Sequence, residues 1–162
     1  MFQPEIKQTE AQVVAYLTMH GPYAQAPEGF GRLYGWLAQH GITPAGMPAA
    51  VYLTTLPETL EEDAVWELWA PLAGEIAEAE PDDSGVGVKA VPPMSVVSAI
   101  HTGPYETVGP TYEEMRAWIT GHGYQIAGPP KEIYYSDPAR VSPEEYVTEI
   151  QMPVVSASTE RR

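Results

Sequence analysis

The feature that most constrains the fold of this chain is a repeat of its own sequence at an offset of 82 residues. The motif Gly-Pro-Tyr at residues 21–23 returns at residues 103–105. Without a gap, the same offset relates Trp36 to Trp118, His40 to His122, Tyr52 to Tyr134, and Glu67 to Glu149. Self-similarity at a fixed offset is the signature of a repeated structural unit. The sequence therefore predicts two copies of one unit within a single domain.

Each copy carries patterns typical of strands and of one helix, in the same order. An apolar, β-branched stretch at residues 6–19, with its partner at 88–101, ends in a Gly-Pro turn signal and predicts a strand or a bent pair of strands. Apolar residues at helical spacing then predict one helix in each copy, through Phe30, Leu33 and Leu37 in the first and Tyr112, Met115 and Ile119 in the second. Two short strands follow, at 50–54 and 65–72 in the first copy and at 132–136 and 146–154 in the second. The predicted unit is strand-helix-strand-strand, and the predicted fold class is α+β.

The limits of the two copies follow from composition. Repeat 1 spans about 4–72 and repeat 2 about 86–154, inside one domain of residues 1–156. The acidic stretch 73–85 between them ends in Pro, Asp, Ser and Gly, which is typical of a linker. Residues 157–162 are expected to form a disordered tail. His-Gly pairs at 40–41 and 122–123 predict helix ends, where glycine adopts the left-handed conformation.

The charge balance argues against a nucleic-acid partner. The net charge is −14 and only 8 residues are Lys or Arg, whereas affinity for nucleic acids rests largely on these cations. An acidic surface instead attracts cationic ligands. The chain has no cysteine, its first residues lack a signal segment, and no apolar run is long enough to span a bilayer. These features predict a cytoplasmic protein without a membrane partner, and they give no indication of its oligomeric state.

Sequence motifs for cofactors and metals are missing from the chain. There is no phosphate loop, no dinucleotide fingerprint and no His-Glu-x-x-His. His40 and His122 are explained as helix ends, while His20 and His101 are not repeat partners. We therefore expect no cofactor and no metal site.

A glutamate in the last strand of each copy is the strongest candidate for chemistry. Side chains alternate between the faces of a strand, so the even-numbered residues 66–72 and 148–154 should pack on the helices. The opposite faces carry Glu67 in the first copy and Glu149 in the second, among apolar neighbours. A lone strand glutamate usually points to solvent. Its recurrence in matched register favours a functional role.

Aromatic residues could complete a binding pocket around these acids. If the copies pack about a pseudo-twofold axis, Glu67 and Glu149 would share a cleft with Tyr52, Tyr134 and Trp69, which suits a flat organic cation. Burial and the second carboxylate would then raise the pKa of Glu149, and cation binding would weaken as pH falls. Further candidate walls are Trp118, Tyr105 and Trp36. Alternatively, the two tryptophans are core residues and Tyr105 only braces its turn.

Several of these motifs resemble the GyrI-like small-molecule-binding superfamily. The resemblance covers nearly the whole chain and is most specific in the second copy, in Gly-Pro-Pro-Lys-Glu-Ile-Tyr-Tyr-Ser-Asp-Pro at 128–138 and Thr-Glu-Ile-Gln-Met-Pro at 148–153. It implies two strand-helix-strand-strand modules, called SHS2, around a central cleft. Such domains bind effectors in multidrug-responsive regulators of the BmrR and Rob type. The position that matches their ligand-binding glutamate is Glu149.

The resemblance leaves more than one function open. The first is a stand-alone module that binds or sequesters lipophilic, aromatic, preferably cationic small molecules, because no helix-turn-helix segment precedes residue 4. The second is a hydrolase of cyclopropane-bearing genotoxic electrophiles, with Glu149, or less favourably Glu67, as the general base. A third and less favoured function is inhibition of DNA gyrase.

Overall fold

Antiparallel strands and two helices make up the computed structural model, which describes residues 3–54, 61–136 and 140–156. In chain order the elements are β1 (Glu5–Gln8), β2 (Gln12–His20), α1 (Ala26–Gln39), β3 (Ala49–Tyr52), β4 (Val65–Pro71), β5 (Val86–Val91), β6 (Ser95–Thr102), α2 (Gly109–Gly121), β7 (Tyr124–Ile126), β8 (Lys131–Tyr134) and β9 (Val147–Ser156). The predicted α+β class is confirmed. The tail predicted at 157–162 lies outside the described residues.

The order strand-helix-strand-strand occurs as β2-α1-β3-β4 and, with the short strand β7 added after the helix, as β6-α2-β8-β9. The Gly-Pro-Tyr turns are also built alike. Gly21 has φ +103° and donates its N–H to the carbonyl of Ala64, while Gly103 has φ +130° and donates to the carbonyl of Tyr146. Such φ values favour glycine, which explains this residue in both copies of the motif. The duplication itself stays a prediction that a superposition of the two halves would test.

The chain divides into two units whose limits differ from those of the sequence repeats. The first unit is Glu10–Pro93, with strand order β5-β2-β4-β3. The second unit is Met1–Thr9 with Met94–Arg162, with strand order β1-β6-β9-β8 and β7 also paired with β9. Strand β1, which leads repeat 1, is thus paired in the unit that holds most of repeat 2. Strand β5, which leads repeat 2, is paired in the unit that holds most of repeat 1. We call this arrangement the strand exchange.

The core of the second unit forms where α2 packs on the sheet. Its buried side chains come from β6, β9 and α2, and they are Val97, Ala99, Met115, Ile119, Ile150, Met152 and Val154. Tyr112 packs against this cluster from the same helix. Because β9 contributes its even-numbered residues, the face predicted to pack on the helix is confirmed.

The core of the first unit is built in the same manner. Helix α1 buries Leu33 and Leu37, and β4 buries Trp66 and Leu68. The indole N–H of Trp66 donates to the carbonyl of Gly21 at 3.0 Å, so the polar edge of this large buried side chain is paired.

Both helices end where the His-Gly pairs predict. His40 and His122 each donate a ring N–H from Nδ1 to the carbonyl four residues earlier, at 2.9 and 2.8 Å. The glycines that follow them have φ +66° and +82°. The same carbonyls also accept the backbone N–H of each histidine, so the ring N–H adds a second donor at each helix end. Neither helix in the described part of the chain has the length and apolar character needed to cross a membrane.

Two glycines of α1 provide a test of how closely this helix approaches the sheet. A Cβ at Gly29 would lie 2.6 Å from Cδ1 of Leu68 and 2.9 Å from Sδ of Met19, whereas one at Gly31 would meet nothing within 4 Å. We expect Gly29→Ala to cost about 1–3 kcal/mol of unfolding free energy through overpacking. Gly31→Ala should instead stabilise by about 0.5–1 kcal/mol because alanine favours the helix. Urea unfolding measures both changes, and equal stabilisation by the two variants would contradict the close approach.

Candidate functional site

Glu149 is buried near the middle of β9, on the face turned away from α2. Its neighbours Thr148 and Ile150 point towards the helix, so alternation places Glu149 on the other face, and 4% of the residue is exposed. Across the strand pairs it stands opposite Ile100 on β6 and Ile133 on β8. Glu149 therefore has an aliphatic residue opposite it on each neighbouring strand.

Four side chains donate hydrogen bonds to the Glu149 carboxylate. Oε2 accepts from Ser98 Oγ at 2.7 Å, from Gln151 Nε2 at 2.8 Å and from the ammonium of Lys7 at 2.6 Å. Oε1 accepts from the hydroxyl of Tyr135 at 2.7 Å. A buried carboxylate with this many donors, one of them charged, is stabilised in its ionised form.

The pKa of Glu149 is consequently lowered, which corrects the expectation from the sequence. Burial acts to raise this pKa, but the hydrogen bonds from Gln151, Lys7, Tyr135 and Ser98 outweigh it and hold it at about 2. The expectation of a raised pKa was wrong because it considered burial and a second carboxylate, and did not include the donors. Glu149 is thus a fixed anion at neutral pH.

Two further titratable groups respond to this anion. Burial, followed by the hydrogen bond to Glu149, raises the pKa of Tyr135 to about 12, so its hydroxyl stays a donor. Burial lowers the pKa of Lys131 although the charge of Glu149 acts to raise it. The site therefore holds its negative charge on Glu149 alone, not on the phenol.

Glu67 forms a corresponding cluster in the first unit. Its Oε1 accepts from Lys89 Nζ at 2.7 Å and from the indole N–H of Trp69 at 2.8 Å. The ammonium of Lys89 lies 4.5 Å from the ring centroid of Tyr16 and 5.3 Å from that of Trp69. This cluster shows that a carboxylate with two aromatic faces holds a cation in this fold. Trp69 and Glu67 are thus in direct contact.

Tyr134 and Tyr105 are not brought to Glu149. Tyr134 stands opposite Thr148, on the face that packs on α2, and its hydroxyl donates to Glu132 at 2.9 Å. Tyr105 stacks edge-on against Tyr134 with ring centroids 5.4 Å apart. Both belong to a separate cluster around Glu132, which sequence analysis missed because the repeat partner of Glu132 is Ala50.

The remaining aromatic candidates lie with the helices. Tyr52 stands opposite Trp66, on the helix-packed face of the first unit, and so apart from the Glu67 cluster. Trp36 stacks on His40 and donates to Asp82 Oδ2 at 2.8 Å. Trp118 stacks on His122 and packs against the core of the second unit. For both tryptophans the structure favours the alternative of a structural role.

The family of the chain follows from comparison with known proteins. The model of the GyrI-like small molecule binding domain matches residues 2–155. The chain belongs to this GyrI-like family. No curated protein sequence matches it significantly.

Solved structures share the fold of this GyrI-like domain. The EcmrR C-terminal domain has a TM-score of 0.82 at 20% identity, and the match covers 96% of this chain and 99% of that one. The match covers only 58% of the EcmrR chain in its complex with DNA. A hydrolase from Listeria innocua has a TM-score of 0.73 at 16% identity, covering 94% and 92%. SAV2435 bound to tetraphenylphosphonium has a TM-score of 0.54 at 16% identity, covering 94% of each chain. These identities establish a common fold and no more.

The lysines of the GyrI-like domain are the residues that sequence analysis missed. Lys7 and Lys89 are themselves related by the offset of 82 residues, and they contact the two glutamates that the same offset relates. The strand exchange explains the omission, because each lysine belongs to the repeat that does not contain its glutamate. The matched lysines were a signal available in the sequence.

Metal ligands are not grouped anywhere in the described ranges, where no three His, Asp or Glu side chains are placed to hold an ion. The ring of His101 is buried and bonds within the protein, with Nε2 at 3.0 Å from Thr107 Oγ1 and Nδ1 at 3.3 Å from Thr111 Oγ1. This histidine is accordingly a structural residue.

The lowered pKa of Glu149 predicts how the stability of the GyrI-like domain depends on pH. A carboxyl with a pKa of about 2 in the folded state, against about 4.3 unfolded, stabilises the fold above that unfolded value. This contribution, about 3 kcal/mol at most, is lost as pH falls from about 5 towards 2. Glu149→Gln lacks the titration. The difference in unfolding free energy between wild type and variant, measured by urea unfolding at several pH values, should therefore shrink over this range. A difference that stays constant would contradict the assigned pKa.

Proposed function

We propose that this GyrI-like domain binds lipophilic, aromatic cations, with Glu149 as the anion that attracts them. The observation that carries the proposal is a carboxylate that is buried, ionised and placed between two aliphatic cross-strand neighbours, Ile100 and Ile133. A buried negative charge beside aliphatic side chains favours a cation whose own charge is spread over a hydrophobic body.

Exposed apolar side chains supply the rest of the proposed site. Ile100, directly opposite Glu149, is 53% exposed, and Tyr135, which bonds to the carboxylate, is 45% exposed. Large apolar groups at such exposure lose unfavourable contact with water when a ligand covers them. The ring of Tyr135 also offers an aromatic face to a cation. Tyr134 and Tyr52 lie on the helix-packed faces and Tyr105 packs against Tyr134, so we do not include them.

A hydrolase is the weaker alternative for the same residue. A general base works best when its pKa lies near the working pH, because it must then accept a proton readily. A carboxylate held at a pKa of about 2 is a poor proton acceptor at neutral pH. The Listeria innocua hydrolase shares only the fold, and its chemistry is not transferred to this chain. We therefore favour binding over turnover.

Ions of matched size and opposite charge test the proposal. Tetraphenylphosphonium and tetraphenylborate differ mainly in the sign of their charge. We expect the cation to bind at about micromolar affinity, which corresponds to about −8 kcal/mol, and the anion at least tenfold more weakly. Isothermal titration calorimetry measures both constants. Equal binding of the two ions would show that the charge of Glu149 does not contribute to binding.

Glu149→Gln tests the residue itself, with Glu132→Gln as the matched control. Both glutamates are buried in the second unit on neighbouring strands, with Glu132 7% exposed, but they lie on opposite faces of the sheet. Glu149→Gln should weaken binding of tetraphenylphosphonium about tenfold to a hundredfold, equivalent to about 1–3 kcal/mol. Glu132→Gln should leave the constant unchanged. A loss confined to the Glu132 variant would move the site to the helix-packed face.

The pH dependence of binding should be flat above about pH 4. Because the pKa of Glu149 is already about 2 in the empty protein, its carboxylate is ionised throughout this range. Titration of tetraphenylphosphonium at pH 7, 6 and 5 should give the same affinity within a factor of about two. Progressive weakening over these values would indicate a proton-accepting Glu149 and would reopen the hydrolase alternative.

A further inference from the structure

The Glu149 carboxylate already forms an ion pair with a cationic side chain of the protein itself. The ammonium of Lys7 lies 2.6 Å from Oε2, which is the distance of a charge-assisted hydrogen bond. A ligand cation that approaches this oxygen meets Lys7 first. On the basis of the proposed function, we propose that Lys7 is a resident counter-ion, which a ligand must displace from Glu149 and which thereby sets the affinity and charge selectivity of the site.

Burial explains why a resident cation is needed. An unpaired charge buried in a protein is strongly destabilising, because it has lost its hydration without compensation. Ser98, Tyr135 and Gln151 donate hydrogen bonds to Glu149, but all three are neutral donors. Lys7 adds the opposite charge. When a cationic ligand replaces the ammonium, one positive charge is exchanged for another and the carboxylate stays compensated.

The position of Lys7 makes such an exchange feasible. Its side chain is 38% exposed, whereas that of Glu149 is 5% exposed, so Lys7 is the partner of the pair that contacts solvent. Lys7 belongs to β1, a strand of only four residues that pairs with β6. Its long, flexible side chain can swing into water, where ammonium groups are well hydrated, without disturbing the strand.

The carboxylate cluster of the first unit supports the same role for a lysine. The ammonium of Lys89 lies 2.7 Å from Oε1 of Glu67, and the side chain of Lys89 is 32% exposed. Here the ammonium also lies over the rings of Tyr16 and Trp69, which are the surroundings that an organic cation would use. Two lysines at the offset of the repeat thus occupy the two glutamates at that offset, which argues against an incidental surface pair.

Selectivity follows from the exchange. A neutral ligand gives Glu149 no replacement charge, so it can bind only beside an intact Lys7 pair. An anion would be repelled by the carboxylate once Lys7 moved. Only a cation gains the interaction that Lys7 gives up, and its measured affinity is reduced by the free energy of the pair that it breaks.

Lys7→Met tests the proposal, because methionine keeps the length of the side chain without its charge. We expect this variant to bind tetraphenylphosphonium at least tenfold more tightly than wild type by calorimetry. Arg116→Met, which removes a positive charge from the exposed surface of α2 in the same unit, is the control and should bind as wild type does. In a Glu149→Gln background, Lys7→Met should give no gain, since Lys7 acts through Glu149.

A measurement on the unmodified protein covers the case in which Lys7→Met does not fold. Acetylation of Lys7 by a limiting acylating reagent, followed by mass spectrometry, should become several-fold faster when tetraphenylphosphonium saturates the protein. Tetraphenylborate should cause no increase. An unchanged rate at saturation would overturn the displacement of Lys7.

The outcomes separate this proposal from the proposed function. In one outcome wild type binds the cation, Glu149→Gln loses this binding, and Lys7→Met shows no increase in affinity. The proposed function then stands and the role of Lys7 is overturned. If neither wild type nor Lys7→Met binds the cation, the function and the role of Lys7 both fall. If Lys7→Met and Arg116→Met increased the affinity for tetraphenylphosphonium equally, the increase would come from the lower total positive charge of the protein, and the specific role of Lys7 would be overturned.

Discussion

The arrangement of the second unit depends on keeping one buried carboxylate compensated. Glu149 needs several donors at once, because hydrogen bonds and an opposite charge must replace the water that burial removes. Those donors are far apart in the chain, at Lys7, Ser98, Tyr135 and Gln151. Strands β1, β6 and β9 and the end of β8 therefore have to meet in one register. The ion site and the strand pairing are aspects of the same constraint.

Sequence reasoning succeeded where a local pattern carries the information. Alternation along residues 148–154 placed Ile150 and Met152 on the core and Glu149 on the opposite face, because the side-chain period of a strand is fixed by its backbone. The His-Gly pairs marked the helix ends for an equally local reason. The fold class and the family followed from such patterns, repeated at one offset.

Sequence reasoning failed where the surroundings of a residue depend on which strands pair with each other. Tyr134 and Tyr135 are neighbours with aromatic rings, yet one bonds to Glu132 and the other to Glu149, and only the register of β8 on β9 decides between them. The pKa of Glu149 was expected to rise for a related reason, because three of its four donors, Lys7, Ser98 and Tyr135, lie outside its own strand. Lys7 could have been found by asking which charged residues share the offset, but its contact with the glutamate of the other repeat required knowledge of the strand exchange.

The strand exchange also bears on how such a chain could have arisen. A protein consisting of a single repeat would hold its leading strand and its glutamate, but the lysine of that strand would pair with the glutamate of a different copy. It could complete its sheet and compensate its buried acid only as a homodimer that swaps the leading strand between subunits. Joining two such subunits end to end would keep the exchanged strand pairs within one chain and would allow the two copies to diverge. Such an origin would account for the differences between positions 16 and 98 and between positions 69 and 151, where an aromatic residue in the first copy corresponds to a polar residue in the second.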